Sequence, residues 1–447
     1  MRSSIPKLLH PLCGRPLIAW PLAAAREAGA GVVVVVDAVG EPLRAALDAD
    51  TQVAVQREPR GTGDAVRAAA GAIDPSATVI VVNGDAPLIT GATLTALAAH
   101  HRHQGAAATI ATAVLADPRG YGRVVRAPDG TVERVAETKA AGDATALELQ
   151  IREVNTGIFA FDGGALLAAL EELRSDNAQE EFYLPDVLPI LRQRERTVVA
   201  FELADVDEAL GINDRRQLAE VRAIAQRRIH DRHMLAGVTV VDPACTVIDA
   251  GVRIGADTVV EPFTSLLGRT AVGSGSTLGP HSTLIDARVG DGAKVIHAYV
   301  RDAEVGDGAS VGPFAYLRPG TVLRERAKAG TFVEIKNSDV GAGSKVPHLS
   351  YIGDADIGED TNLGASTITA NYDGYRKHRT TIGSGVKTSV DTTLIAPVVV
   401  GDDAFTAAGS VITHDVPPGA LGVARPRQSN IEGYAERRRA QAESERE

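Results

Sequence analysis

Aliphatic side chains recur at every sixth position through the C-terminal half of the chain. Ile248, Ile254, Val260, Leu266, Val272, Leu278 and Leu284 keep the spacing, which resets to Val289 and Val295 and resumes at Val305, Val311, Leu317 and Leu323. It returns at Val340, Val346 and Ile352, then at Ile357 and Leu363, and closes with Ile382, Thr388, Leu394, Val400, Thr406 and Ile412. Many of these positions precede a glycine and a small polar turn, as in Val289-Gly290-Asp291-Gly292 and Val305-Gly306-Asp307-Gly308. Neither a helix nor a paired strand has this period. A hexad repeat predicts a parallel β-helix, in which each short strand turns one aliphatic inward and a Gly-rich corner redirects the chain. The ladder breaks from Leu323 to Val340 and from Leu363 to Ile382. Solenoid insertions form loops, often on a binding face, so loops are expected in both gaps.

The first 210 residues follow a different pattern. Val32–Val36 and Thr78–Val82 read as buried strands, Gly63–Ala72 as an Ala-rich helix start and Thr90–His103 as a helix. Strands alternating with helices predict an α/β layer with a parallel or mixed sheet. From Asp214 to Leu235 a charged helix follows, with Leu218, Val221, Ile224, Ala225, Ile229 and Met234 on one face. The expected organisation is an α/β domain over 1–210, a helical linker over 211–235, a β-helix over 236–432 and a charged, disordered tail over 433–447.

Composition narrows the classes. A chain of 447 residues is too long for one core. A formal charge of -11 argues against a general nucleic-acid binder. Cys13 and Cys245 are the only cysteines, so no disulfide framework is expected and a reducing cytoplasm is. No apolar run has the length of a membrane span.

Asp85 follows the strand Thr78–Val82, at its carboxyl end, where open α/β sheets bind ligands. A carboxylate there suits Mg²⁺, which shares oxygen ligands with substrate phosphates; a turn aspartate is the plainer account. Gly61-Thr62-Gly63 before a helix lets backbone approach a ligand, and is also an ordinary turn. Tyr121-Gly122-Arg123, Glu137-Thr138-Lys139, Asn155-Thr156-Gly157 and Gly211-Ile212-Asn213 are weak one by one. In this order, and with the opening Ile5-Pro6-Lys7-Leu8-Leu9 and Gly14-Arg15-Pro16-Leu17, the chain resembles the sugar-nucleotide pyrophosphorylases. That family's loop Leu-Ala-Ala-Gly-x-Gly-Thr-Arg-Met lies just before its Pro-Lys motif, and Met1 falls where its last methionine would be. The resemblance therefore implies either a start upstream, adding roughly 15–20 residues, or a chain with weakened uridylyl transfer. In-frame coding sequence for the loop upstream of the start decides between them.

In the C-terminal half, histidine is the residue type for a general base near neutral pH. His348 is one candidate, although alone it reads as an ordinary surface histidine. Arg318 and Lys336 could neutralise a phosphate, or be solvated surface charges. Tyr351, Asn362 and Asn371 could hydrogen-bond a sugar. Together the stretches Leu317-Arg318-Pro319-Gly320, Phe332–Ser338, His348–Ala365, Thr369–Gly374 and Thr393–Val398 resemble the acetyltransferase half of the bacterial bifunctional family that makes UDP-N-acetylglucosamine. With the N-terminal motifs, the likeness covers about residues 1–433. It implies a Rossmann-like nucleotidyltransferase domain followed by a left-handed parallel β-helix, usually assembled as a homotrimer with sites between subunits.

The resemblance also implies residue roles. His348 takes a proton from the amine of glucosamine-1-phosphate. Arg318 and Lys336 hold its phosphate, and Tyr351, Asn362 and Asn371 place the sugar. Ala365, Asn371, Tyr372, Ala408 and Arg425 line the acetyl-CoA site. Ser389 is the nearest hydroxyl where the family often has Gly-Ser-Asp and this chain has Ser389-Val390-Asp391. Lys7, Gln56, Gly61, Thr62, Asp85, Gly122, Glu137, Asn155 and Asn213 surround UTP and N-acetylglucosamine-1-phosphate, with Asp85 and Asn213 as Mg²⁺ ligands. Asn83 stands where an aromatic is common. Two other readings stay open: a single-activity nucleotidyltransferase with a scaffolding β-helix, and a non-catalytic trimeric scaffold that binds sugar nucleotides.

Overall fold

The structure, a computed structural model, describes residues 1–37, 40–138, 144–175 and 179–446. Lys139, in the Glu137-Thr138-Lys139 signal, lies outside them. Two compact units divide the chain, Met1–Arg228 and Ile229–Glu447.

The first unit is built on a mixed sheet. Its strands run in the order Val198–Glu202, Ala108–Val114, Glu153–Asp162, Arg123–Arg126 and Val132–Ala136, and Thr78–Val81 also pairs with Glu153–Asp162. Val198–Glu202 lies parallel to Ala108–Val114, which in turn is antiparallel to Glu153–Asp162. Alternate residues of Glu153–Asp162 serve opposite faces. Phe159 and Phe161 pack with Leu166, Leu170, Leu188 and Leu191 of the helices Gly163–Glu172 and Val187–Gln193. Ile158 and Ala160 pack with Ala24, Leu94 and Leu97 of the helices Ala19–Glu27 and Gly91–His103. Helices on both faces explain why Ala108–Ala113 is apolar or fully buried throughout rather than alternating. Val33–Asp37 and Gln52–Gln56 form a separate parallel pair.

The second unit is a left-handed parallel β-helix. Its short strands are dealt in turn to three sheets, so each pairs in parallel with the strand one coil on: Val247–Ile248 with Ser265–Leu267, and that with Thr283–Ile285. The hexad aliphatics point inward, and Val260, Leu266, Leu317, Val346 and Ile352 are completely buried. Two residues before each rung sits a second inward position, filled by small residues such as Thr258, Ser276, Ala293, Ser344 and Thr361. Hydroxyls here are bonded to main-chain carbonyls: Thr258 donates to Gly273 O at 2.8 Å, Ser276 to Gly290 O at 2.9 Å and Ser344 to Gly358 O at 2.6 Å, whereas those of Thr264 and Thr380 have no partner among the described residues.

Three expectations change. The gap between Leu323 and Val340 is no loop: Ala329 and Ile335 are buried rungs on the strands Lys328–Thr331 and Glu334–Lys336. Alanine fills a rung without announcing itself as a core residue. The second gap is a true excursion, between the strands Ile368–Ala370 and Thr380–Ile382. On the helix Arg215–Leu235, Met234 is exposed and His233 is buried; four residues on from Ile229 the buried stripe meets His233, not Met234. The tail forms a helix over Tyr434–Ser444 with no buried residue, consistent with its Ala, Arg, Glu and Gln content.

Buried imidazoles make both units acid-sensitive. His101, His230 and His233 are almost fully buried, and burial lowers the pKa of each below its ordinary value. His101 is bonded to Thr109 at 2.9 Å, while Nε2 of His230 and of His233 has no partner among the described residues. A depressed histidine pKa means that the unfolded chain takes up protons first as pH falls. Stability is therefore full above the unfolded value of about 6.5 and declines below it until the folded values are reached. The expected result is a lower melting temperature at about pH 5.5 than at about pH 7.5. His233→Phe should flatten this dependence for the second unit. Equal melting temperatures at the two pH values would contradict this account.

Candidate functional site

In the first unit, the candidates sit where strands end. Lys7 lies on a short 3-10 helix, Lys7–Leu9, and Asp85 just beyond the strand Thr78–Val81. The Lys7 ammonium donates to the Asp85 carboxylate and, at 2.9 Å, to Asn213 Oδ1. Asp85 is also tied through its backbone, since Ile212 N–H donates to its carbonyl at 3.2 Å. Two side-chain oxygens from separate segments thus converge on one cation.

Gly122 and Asn155 are joined by Asn155 N–H to Gly122 O at 2.9 Å, and a Cβ on Gly122 would lie 3.4 Å from Glu137 Oε1. Tyr121 carries this group toward Asp85. Burial raises its phenol pKa, a backbone hydrogen bond from Gly211 opposes that, and the Asp85 charge adds to the rise. Asn83 packs on Gly157, where a Cβ would come 2.1 Å from its Nδ2. Gln56, Gly61 and Thr62 form another group. Gln56 Nε2 donates to Asp64 at 2.8 Å, and Thr62 Oγ1 accepts from Leu184 N–H at 3.0 Å. Gly61 has φ +103°, and a Cβ there would sit 2.6 Å from Phe182 O, so only glycine fits. Among the described residues, no bond links this group to Lys7, Asp85 or Asn213.

In the second unit, consecutive coils place charges side by side. The strand Glu334–Lys336 pairs with Tyr351–Gly353, which sets Lys336 beside Gly353 and Glu334 beside Tyr351. Arg318 lies one coil earlier, its N–H donating to Ile335 O and its guanidinium to Glu334 at 2.8 Å. Asp354 gathers the group. It accepts from Asn337 Nδ2 at 2.7 Å, from Lys336 Nζ at 3.4 Å and from Asn371 Nδ2. Burial pushes the Asp354 carboxyl pKa up, but these donors and the Lys336 charge bring it below the usual range. A side-chain hydrogen bond with Lys377 raises the Lys336 pKa, with Asp354 adding to the rise, and the same bond lowers the pKa of Lys377, whose charge Lys336 and Arg318 also disfavour.

His348 is exposed, at the end of the strand Lys345–His348. Its carbonyl accepts from Ser350 Oγ at 2.7 Å and Ser366 N–H at 3.2 Å, so its main chain is fixed while its ring has no hydrogen bond among the described residues. One corner of the β-helix rises from it. Ser366 donates to His348 O, Asp391 to Ala365 O at 2.8 Å and Gly409 to Val390 O at 3.0 Å. A Cβ on Gly409 would be 4.0 Å from Arg425. Ala365, Ser389-Val390, Ala408 and Arg425 therefore follow one another along the corner above His348. Ser389 itself uses its N–H on Thr406 Oγ1 at 3.2 Å, and Asn362 bridges in parallel between Lys345 and Lys387.

Residues 1–183 match the family model of the MobA-like NTP transferase domain. Over 98% of its length the chain is 52% identical to the bifunctional protein GlmU of Streptomyces avermitilis, covering 92% of that protein. The bifunctional proteins GlmU of Mycolicibacterium vanbaalenii and Mycobacterium tuberculosis are each 49% identical over 98% of the chain, with 91% and 90% of their lengths covered. The chain belongs to the bifunctional GlmU family.

Within that family membership, the geometry gathers Lys7, Asp85 and Asn213 in one unit, and Arg318, Lys336, Tyr351 and Asn371 in the other. Two members of the second cluster are not marked by the sequence. Asp354 lies within His348–Ala365, and its one signal is its place directly after Gly353, opposite Lys336. Lys377 lies in the break between Leu363 and Ile382 beside Arg376, His378 and Arg379, and only the pairing of Tyr372 with Lys377 singles it out.

Proposed function

We propose that the chain makes UDP-N-acetylglucosamine in two steps, one in each unit. In the β-helix, the amine of glucosamine-1-phosphate attacks the thioester carbonyl of acetyl-CoA. The C–N bond forms and the C–S bond breaks; His348 takes the amine proton and returns it to the departing sulfur, so that coenzyme A leaves as the thiol. Arg318, Lys336 and Lys377 supply positive charge for the phosphate, while Tyr351, Asn362 and Asn371 orient the sugar. Ala365, Asn371, Tyr372, Ser389, Ala408 and Arg425 line the acetyl-CoA path. The observation that carries this reading is the cation cluster one corner away from an exposed, unbonded imidazole at the foot of a continuous corner column.

In the α/β unit, a phosphate oxygen of N-acetylglucosamine-1-phosphate attacks the α-phosphorus of UTP, and pyrophosphate leaves. Lys7, Gln56, Gly61, Thr62, Asp85, Gly122, Glu137, Asn155 and Asn213 are assigned to nucleotide and sugar. Asp85 and Asn213 are assigned to Mg²⁺, and their oxygens fit it: they already converge on a cation, and Mg²⁺ takes one or two carboxylates together with substrate phosphates. Bound there, the ion neutralises phosphate charge. Asp85 and Asn213 orient that charge, and Lys7 holds the pair together.

Assembly as a homotrimer is part of the same proposal. Phe263, Phe314, Phe332 and Leu349 are each more than half exposed, at 55%, 57%, 57% and 58%, and with His281 and His297 they climb the lower part of the corner that bears His348. Phe263 stacks on His281, His297 meets Phe314, and Phe314 stacks on Phe332. An apolar column of this kind suits packing against another copy. A cytoplasmic enzyme is proposed as well; no described helix is long and apolar enough to cross a membrane.

The test is thiol release from acetyl-CoA on adding glucosamine-1-phosphate to folded protein. Release that depends on the sugar phosphate is expected, and no release removes the acetyltransferase reading.

A further inference from the structure

The hairpin that leaves the β-helix between Ala370 and Thr380 is closed from within. His378 N–H donates to Asn371 O at 2.8 Å and Asp373 N–H to Arg376 O at 3.1 Å, with Tyr372 facing Lys377 across the two legs. Asp373 is the hub. Its Oδ1 accepts from Tyr375 N–H at 2.8 Å and Arg376 N–H at 2.6 Å, while Oδ2 meets His378 Nε2 at 2.6 Å across the legs. The Arg376 amide, then His378 and the Tyr375 amide, pull the Asp373 pKa down to about 2, so it is an anion throughout the neutral range. The tip is open to solvent at Tyr375, which is 93% exposed. The base is anchored, Asn371 to Asp354 and Arg379 to Asn337 O at 3.1 Å and to Asp356.

This hairpin has a cost to meet. It sets Lys377 opposite Tyr372, the residue after the Asn371 that is bonded to Asp354, itself the partner of Lys336, and the charges of Lys336 and Arg318 there lower the Lys377 pKa. A short two-stranded hairpin is marginal alone. Left loose, Lys377 would turn away from Lys336 into water. We propose that Asp373 and His378 form a positioning pair that locks this hairpin and so keeps Lys377 at the acceptor phosphate. The inference rests on the acetyl-transfer reading above. It gives the pair no contact with the reacting atoms.

Four full-length variants test it in the thiol-release assay: His378→Leu, His378→Gln, Lys377→Ala and the double variant Lys377→Ala/His378→Leu. Losing a hydrogen bond to a charged group corresponds to about a tenfold effect. His378→Leu should therefore raise KM for glucosamine-1-phosphate about tenfold, with smaller changes in kcat and in KM for acetyl-CoA. His378→Gln, whose amide can still donate to Asp373, should recover most of the affinity. In the Lys377→Ala background His378→Leu should add little, because both remove the same interaction. An unchanged KM in His378→Leu with an active parent overturns the positioning pair alone, as do fully additive effects in the double variant. A fall in KM-independent rate that tracks a lowered melting temperature in both His378 variants would make the role merely structural and overturns it too. An inactive, folded parent overturns the acetyl-transfer reading and this inference with it.

Discussion

Replacing His348 by alanine should lower acetyl transfer to glucosamine-1-phosphate by about 10²–10⁴-fold, the range supplied by a positioned general base. The expectation rests on how this residue is held. Its strand pairs Thr331 with His348, and its carbonyl is bonded to Ser350 Oγ and to the Ser366 amide. The main chain is thus as fixed as the core rungs beside it. The ring is exposed and bonded to nothing among the described residues, which leaves its nitrogens free for a substrate amine. Because the residue is exposed, the substitution should leave the melting temperature and the affinity for acetyl-CoA near those of the parent. The loss should appear in kcat. His348→Ala with full acetyl transfer would remove the proposed base.

The architecture was legible because a β-helix imposes one period on its whole length. The reading failed where a rung is small. Ala329 does not stand out beside Leu323 and Val340, so a regular coil reads as a gap, and the sequence pattern puts Lys336 on a loop although it belongs to the strand Glu334–Lys336. The second, small inward position was also passed over, because Ser, Thr and Ala two residues before a rung look like turn residues. His348, Arg318 and Lys336 were nameable from resemblance to a family, yet their arrangement depends on coil register. That register puts Lys336 beside Gly353 and so beside Asp354. Lys377 depends on still more, the closing of a hairpin by Asp373 and His378. In the α/β unit, Asp85 and Asn213 are far apart in sequence, and no periodicity joins them. What joins them is the Lys7 ammonium and the Ile212 amide.

That junction supports the second large effect. Asp85→Asn should reduce uridylyl transfer by about 10²–10³-fold, the scale of removing one preorganised electrostatic partner from a charged transition state. The substitution keeps size and one oxygen but removes the charge. Two consequences follow. Lys7 loses its anionic partner and is left with neutral amide oxygens, that of Asn213 among them. The site also loses the carboxylate best suited to a hard divalent cation, since Asn213 offers only a neutral oxygen. The loss should be accompanied by a higher Mg²⁺ concentration for half-maximal rate. Lys7→Met separates the two: it leaves the carboxylate in place, so it should weaken binding of UDP-N-acetylglucosamine without raising the Mg²⁺ requirement as far. Acetyl transfer, assigned to the other unit, reports on folding in both variants. If Asp85→Asn transfers uridylyl groups at the parent rate with the parent Mg²⁺ dependence, the bond between Lys7 and Asp85 is a structural strut, and the metal ligands must be sought elsewhere.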